Sequence, residues 1–246
     1  YDHELFDTER GLPTSNEALS SNTTGAKHYS DLVESFTSTG FTGTAGNNRS
    51  NVSWTFRKKK KFFDVVTYTG NGATSRNISH SLGVAPGMMI VKRYDGGSTN
   101  WFTYHSGTGN NKYLYLNDAR ASAVDTEPWA ATTPTDSVFT VGSGNTNGNT
   151  NSFVAYLFAD NSAEDAEDQM IKCGSFTGSA TINLGWEPQF VLYKRIDSSD
   201  NWYILDTMRG WEAYRTNHLM NPLRSNQSNA EYSTSNYHYP TSTGIQ

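Results

Sequence analysis

The chain has 246 residues, of which 17% are charged and 13% aromatic. With long stretches of Gly, Ser, Thr and Asn, this composition suits short strands joined by turns and argues against a mainly helical protein, and the length predicts two or more domains. A net charge of −5 and a pI near 5.7 supply no basic field to gather phosphate backbones, which excludes nucleic acid as the expected main partner. The single cysteine, Cys173, excludes an intrachain disulfide framework and fits assembly in a reducing cytoplasm, and no apolar run approaches the ~18–20 residues of a membrane span.

In chain order, the start Tyr1-Asp2-His3-Glu4 is neither an initiator methionine nor a signal peptide, and it is read as the interior of a larger unit. Val52–Phe56 alternates cleanly and predicts a strand with one buried face. Strands follow at Phe63–Tyr68, Met88–Arg93, Trp101–Tyr104, Lys112–Leu116, Ser137–Val141 and Phe153–Phe158, then at Met170–Phe176, Phe190–Lys194 and Trp202–Leu205. Met88–Val91 is apolar at every position, as for the middle of a packed sheet. Asp95-Gly96-Gly97 and the Asn145–Asn151 stretch supply residues that tolerate positive φ, so turns are expected there. The last residues, Thr241–Gln246, stop inside a strand signal.

The strongest signal is self-similarity, which is sought before any other because it governs the reading of the fold. Gly83, Pro86, Lys92 and Arg93 stand 102 residues before Gly185, Pro188, Lys194 and Arg195. Asn100-Trp101 recurs as Asn201-Trp202. Asp7–Gly11, His105–Gly109 and Asp206–Gly210 align in three copies, and Val52–Phe56 aligns with Val154–Phe158. Residues 1–61 are therefore read as the rear part of one unit, 62–160 as a complete unit, 161–168 as an acidic linker and 169–246 as the front part of a further unit. The expected fold is all-β, with tandem β-sandwich (jelly-roll-like) repeats of about 100 residues, each burying its own core.

Phe62–Gly70, Leu82-Gly83, Met89–Arg93, Asn100-Trp101, Tyr113–Leu116 and Val154–Phe158 resemble a repeat of bacteriophage virion proteins. That family is best represented by tail-fibre-like and other structural proteins of marine phages, including those of cyanobacteria. The resemblance extends over nearly the whole chain and consists of scaffold residues without an active-site signature. It implies a modular β-rich part of the particle that serves attachment to a host surface. The lysine run Lys58–Lys61 is more basic than the family pattern at that junction.

No Gly-x-Ser-x-Gly elbow, phosphate loop or His-Glu-x-x-His helix is present, and the histidines His3, His28, His80, His105, His218 and His238 are scattered, so no enzyme, cofactor or metal is expected. A pair of carboxylates could hydrolyse a glycan, but Asp7 and Asp206 share a repeat position that His105 takes in the complete unit. Asp7–Arg10 and Asp206–Arg209 are instead expected to form local ion pairs. Glu164–Asp168 lacks the spacing of a calcium loop and reads as a solvated linker. Lys58–Lys61 could meet an anionic glycan but reads as a hydrated junction.

Among the aromatic residues, Trp101, Trp202, Trp54 and Tyr156 recur and are assigned to the scaffold, with Gly83, Gly185, Pro86 and Pro188. Trp129, Trp186 and Trp211 have no aromatic counterpart and are the expected ligand contacts. The leading expectation is a virion structural protein of a tail fibre or appendage. Its partners would be other virion proteins, copies of itself and a host surface glycan, without membrane insertion. It would be assembled in the host cytoplasm and carried on the extracellular particle. A carbohydrate-binding module or adhesin is the first alternative and a polysaccharide depolymerase the second.

Overall fold

A predicted strand becomes a strand where a neighbour can take up its backbone hydrogen bonds, and remains extended chain where none does. The computed structural model describes residues 2–11, 17–44, 50–161, 168–213, 219–235 and 238–246. The acidic linker, apart from its flanking Asn161 and Asp168, lies outside the described residues, as does His218. The first segment holds β1 (Glu4–Leu5), β2 (Glu17–Ser20), β3 (His28–Tyr29), β4 (Ser35–Thr37) and β5 (Gly40–Thr42). The middle segment holds β6 (Phe63–Thr69), β7 (Arg76–Ser79), β8 (Pro86–Arg93), β9 (Phe102–His105), β10 (Lys112–Tyr115), β11 (Ala123–Val124), β12 (Val138–Val141) and β13 (Ser152–Ala159). The third holds β14 (Ile182–Asn183), β15 (Phe190–Lys194), β16 (Trp202–Asp206), β17 (Leu219–Met220), β18 (Thr234–Ser235), β19 (Pro240–Thr241) and β20 (Gly244–Ile245). The described residues contain no α-helix, only one 3-10 turn at Thr207–Arg209. The chain is all-β.

The central element is a six-stranded antiparallel sheet in the order β11-β10-β9-β8-β13-β6. β13 lies between β8 and β6, with Tyr156 opposite Ile90 on one side and Val65 on the other. Being covered on both faces and paired on both edges, β8 and β13 can be apolar at nearly every position, which accounts for their continuous hydrophobic runs. Two expected strands are not formed among the described residues: Val52–Phe56 and Met170–Phe176 belong to no sheet, although the Ile171 carbonyl accepts the Asn161 N–H at 3.4 Å. Conversely, Arg76–Ser79 forms a strand that sequence reading misses, because Ile78 is its only buried side chain.

The two faces of the central sheet are covered by different parts of the chain. Met89, Val91, Phe153, Ala155 and Leu157 point to one face, under Ile78, Phe139 and Val141 of the β7–β12 ladder. Ile90, Val65, Val154 and Tyr156 point to the other, where Leu19 of the first segment and Trp202 of the third join the same core. The expectation that each unit buries its own core is therefore corrected. The two-stranded β7–β12 ladder can cover one face only, and the second apolar face is taken out of water by the neighbouring segments.

These inter-segment contacts recur at residues matched by the internal similarity. The indole N–H of Trp101 donates to the carbonyls of Ser20 and Thr23, both at 3.1 Å, and that of Trp202 donates to the Tyr115 carbonyl at 2.8 Å. Thr99 N–H meets the Thr24 carbonyl, and Asp200 N–H meets that of Ala119. Lys27 N–H meets the Tyr94 carbonyl, and Ser122 N–H that of Ile196. Within each segment the Asn side chain that follows the β10-type strand clamps the residue before the tryptophan position: Asn117 to Asn100 at 2.9 Å, Asn226 to Asn201 at 2.9 Å and Asn22 to Asp2 at 2.7 Å. His3 occupies the tryptophan position of the first segment and lies against the backbone of Arg224 in the third. Beside it, the Ser21 hydroxyl donates to the Ser225 carbonyl at 2.7 Å. Each segment thus touches both of the others.

Candidate recognition surface

The Asp-x-x-Arg turns are built identically in the first and third segments. Arg10 Nε sits 2.5 Å from Asp7 Oδ2, and the guanidinium also donates to the carbonyls of Leu5 and Glu17. Arg209 Nε sits 2.7 Å from Asp206 Oδ2 and donates to the carbonyls of Ile204 and Asn221. Both pairs are largely buried, and the Asp carboxylate also accepts the backbone N–H of its arginine, so each turn is closed by its own side chains. The Tyr156 hydroxyl donates to Asp7 Oδ2 at 2.7 Å. Burial, with the negative charge of Asp7 adding to it, raises the Tyr156 pKa well above the ordinary phenol value. These carboxylates already hold a full set of partners in a wedge between segments, which is the chemistry of a structural staple.

The remaining titratable groups have the same character. Burial lowers the pKa values of His80, His105 and His238, which favours neutral imidazoles. Burial lifts the Cys173 thiol to about 12, so at neutral pH it is a thiol and not a thiolate nucleophile. Among the described residues no group of three His, Cys, Asp or Glu side chains is placed to hold a metal ion, and no helix is long and apolar enough to cross a membrane. Lys58, the first of the four junction lysines, pairs with Asp64 at 2.9 Å and with Glu9 at 3.3 Å.

The three tryptophans expected to contact a ligand divide. Trp129 is 0% exposed, and its indole N–H donates to the Lys112 carbonyl at 3.0 Å while its ring meets Tyr104 edge-on. Trp211 is 2% exposed and donates to the His238 carbonyl at 2.8 Å. Neither offers a ring face to a sugar, so both are corrected to interior plugs: a large apolar ring whose one polar atom is already paired is most stable inside. Trp186 is half-buried, and its indole N–H has no partner.

The recurring residues stand as follows. Trp101, Trp202 and Tyr156 are buried in the core shared by the segments. Trp54 is partly exposed under the Arg209 guanidinium, 5.4 Å from the ring centre. Gly83 and Gly185 share a left-handed backbone, with φ 74° and 84°, which explains glycine at both places. Pro86 and Pro188 are both buried.

Trp186 lines an open cleft of about 3510 Å³ bounded by all three segments, along with Trp54, Phe56, Met170, Phe176 and Phe190. Small-molecule pockets run to ~300–1,000 Å³, so this space fits an extended or macromolecular occupant better than a metabolite. Its walls leave Phe190 37%, Phe56 38%, Met170 43% and Phe176 47% exposed. Large apolar side chains gathered in one concavity mark an interaction surface.

Fold and site together define an all-β protein whose buried polar groups are engaged in holding segments together, with an apolar cleft as its candidate contact surface. The chain belongs, over residues 1–246, to a family described as a domain of unknown function, DUF7483. No curated protein and no solved structure matches it.

Proposed function

We propose that the chain is a non-catalytic structural module of a bacteriophage particle, part of a tail fibre or similar appendage that contacts the host surface. The observation that carries this reading is the recurrence of the same inter-segment hydrogen bonds at Trp101 and Trp202, Thr99 and Asp200, and Lys27 and Ser122. A catalytic domain concentrates unusual polar groups in one site, whereas here they are spent on fixing one copy of a pattern against the next. The finer architecture we infer is a set of jelly-roll-like units meeting around a common axis, each covering the exposed sheet face of its neighbour. The sequence resemblance to virion repeats supports the location. Multivalent display on an appendage would let weak surface contacts add through effective concentration. Immunogold labelling and peptide mapping of purified phage particles test the reading: the protein is expected in the particle, and its absence there overturns it.

A second reading, a carbohydrate-binding module, rests on one observation. Trp186 presents a partly exposed ring at the cleft, a face on which a sugar can stack, while its indole N–H is buried without a partner. Binding on a glycan array that disappears in Trp186→Ala, with the fold retained by circular dichroism, would support it; silence across host polysaccharides would remove it.

A further inference from the structure

Residues Arg57–Lys61 set five cations in succession on a chain whose net charge is −5. The equivalent boundary, between the middle and third segments, carries the acidic sequence Glu164–Asp168. The repeated scaffold therefore does not call for basic residues at this place, and their presence needs another reason.

The run is a built turn and not a slack tether. Lys59 and Phe63 form an antiparallel bridge, the Lys59 N–H donating to the Phe63 carbonyl at 2.9 Å and the Phe63 N–H returning to the Lys59 carbonyl at 3.1 Å. The Phe62 N–H reaches the same Lys59 carbonyl at 3.2 Å, which closes a four-residue turn with Lys60 and Lys61 at its corners. The Lys61 N–H donates to the Leu82 carbonyl at 2.7 Å, and the Lys60 stem lies across Gly83, 3.8 Å from where a Cβ would stand. The turn is thus braced on Leu82-Gly83. Lys61 has φ 60°, in the left-handed region that favours glycine. A charged side chain kept at a corner where glycine is less strained points to a use for the charge.

All five residues are exposed. The Lys58 charge is balanced by Asp64 and Glu9, whereas Arg57 and Lys60 have no carboxylate in ion-pair range among the described residues. The Lys59 ammonium approaches only the Met170 sulfur, at 3.8 Å. Successive residues stand ~3.8 Å apart along the backbone. That is well inside the ~8 Å Debye length at physiological salt, so the cations act on an approaching polymer together. Their chemistry selects the partner. Lysine supplies point charges without the planar fork that grips phosphate, and duplex DNA, with one charge per ~1.7 Å, would meet a net-negative chain on either side of the turn. A polysaccharide with one carboxylate per sugar is sparse enough to engage the turn alone.

We propose that the Arg57–Lys61 turn is a docking site for an acidic polysaccharide, a polyuronate chain whose carboxylates pair with Arg57, Lys59, Lys60 and Lys61. The inference stands whether or not the protein resides in a virion, since it is read on the purified chain. It is also separate from the Trp186 cleft, so Trp186→Ala is expected to leave this binding unchanged.

Isothermal titration calorimetry of the full chain with polygalacturonate tests it, with neutral dextran and duplex DNA as comparison polymers. Binding to polygalacturonate is expected, weakening as salt is raised, with none to dextran. An ammonium–carboxylate contact in water is worth about fivefold in affinity, so the double variant Arg57→Gln/Lys60→Gln should bind about 25-fold more weakly with an unchanged circular dichroism spectrum. Arg120→Gln/Arg195→Gln removes the same net charge at exposed side chains elsewhere and should leave the affinity as it was. Lys61→Gly removes a cation while giving the corner the residue its φ favours, and should weaken binding without lowering the melting temperature. No binding to polygalacturonate, an equal loss in the two double variants, or tighter binding to duplex DNA overturns the proposal.

Discussion

Trp101→Phe is the perturbation that bears most directly on how the segments hold one another. The Trp101 side chain is 0% exposed, stacks near Tyr156 and shares its N–H between the Ser20 and Thr23 carbonyls at 3.1 Å each. Phenylalanine keeps most of the apolar surface but removes the only donor. A typical hydrogen bond contributes a net ~0.5–1.5 kcal/mol, and a buried acceptor left without a partner costs ~1–3 kcal/mol. The smaller ring leaves a cavity that adds to the loss. The expected destabilisation is about 2–4 kcal/mol, a large share of the ~5–15 kcal/mol typical of a folded domain. Urea unfolding followed by far-ultraviolet circular dichroism measures it, with the midpoint falling and the single transition preserved. Trp202→Phe, which loses the matching bond to Tyr115, should fall by a similar amount. A loss under about 0.5 kcal/mol, the ordinary range of inconsequential surface changes, would refute the reasoning.

Tyr156→Phe removes the hydroxyl that donates to Asp7 and should cost about 1.5–3 kcal/mol, as for a hydrogen bond to a charged group, read from the same denaturation curves. Lys92 is 0% exposed and donates to the Thr24 and Thr99 carbonyls, with no carboxylate in ion-pair range among the described residues; burial, with Arg93 adding, depresses its pKa to about 8 from the ordinary lysine value of 10.5. Below about 8 the lysine is charged folded and unfolded, and the penalty of burying that charge is fully present. Above it the folded lysine releases its proton while the unfolded one keeps it, so stability should rise with pH from about 8, and Lys92→Met should flatten that rise in thermal melts. The buried phenols of Tyr68 and Tyr156, whose pKa values are raised by burial, act in the opposite direction above about 10, so the window to measure lies below that. Gly142→Ala should lower the melting temperature sharply, because a Cβ there would fall on the Glu127 carbonyl, which is backbone and cannot swing aside.

Much of the sheet was legible because its signal is local. The apolar runs at Met88–Val91 and Phe153–Phe158 and the turn residues at Asp95–Gly97 are read from neighbours in sequence, and they form β8, β13 and a turn with positive φ at Gly96 and Gly97. The bounds of β15, Phe190–Lys194, are those predicted. What fails is what depends on a distant partner. Val52–Phe56 has the pattern of a strand, yet a pattern supplies no neighbour to bond with. Trp129 and Trp211 were assigned to the surface because no other segment repeats them, but lack of repetition says nothing about burial. A better signal lay beside Trp129, where Pro128, Ala130 and Ala131 leave no polar surface to hold the ring in water. The docking of neighbouring segments on the second sheet face was only half legible: Tyr156 and Trp101 announced a core, while the residues that complete it, Leu19 and Trp202, come from other segments.

The central claim is that matched contacts bind the segments into one cooperative body, and site-resolved hydrogen exchange of the inter-segment amides tests it most directly. The account predicts that the amides of Lys27, Thr99, Ser122 and Asp200, whose acceptors lie across the boundaries, exchange with the same protection free energy as Ala155 and Tyr156 in β13. Rapid exchange at those four positions while β13 stays protected would contradict it, because the segments would then be opening from one another without unfolding.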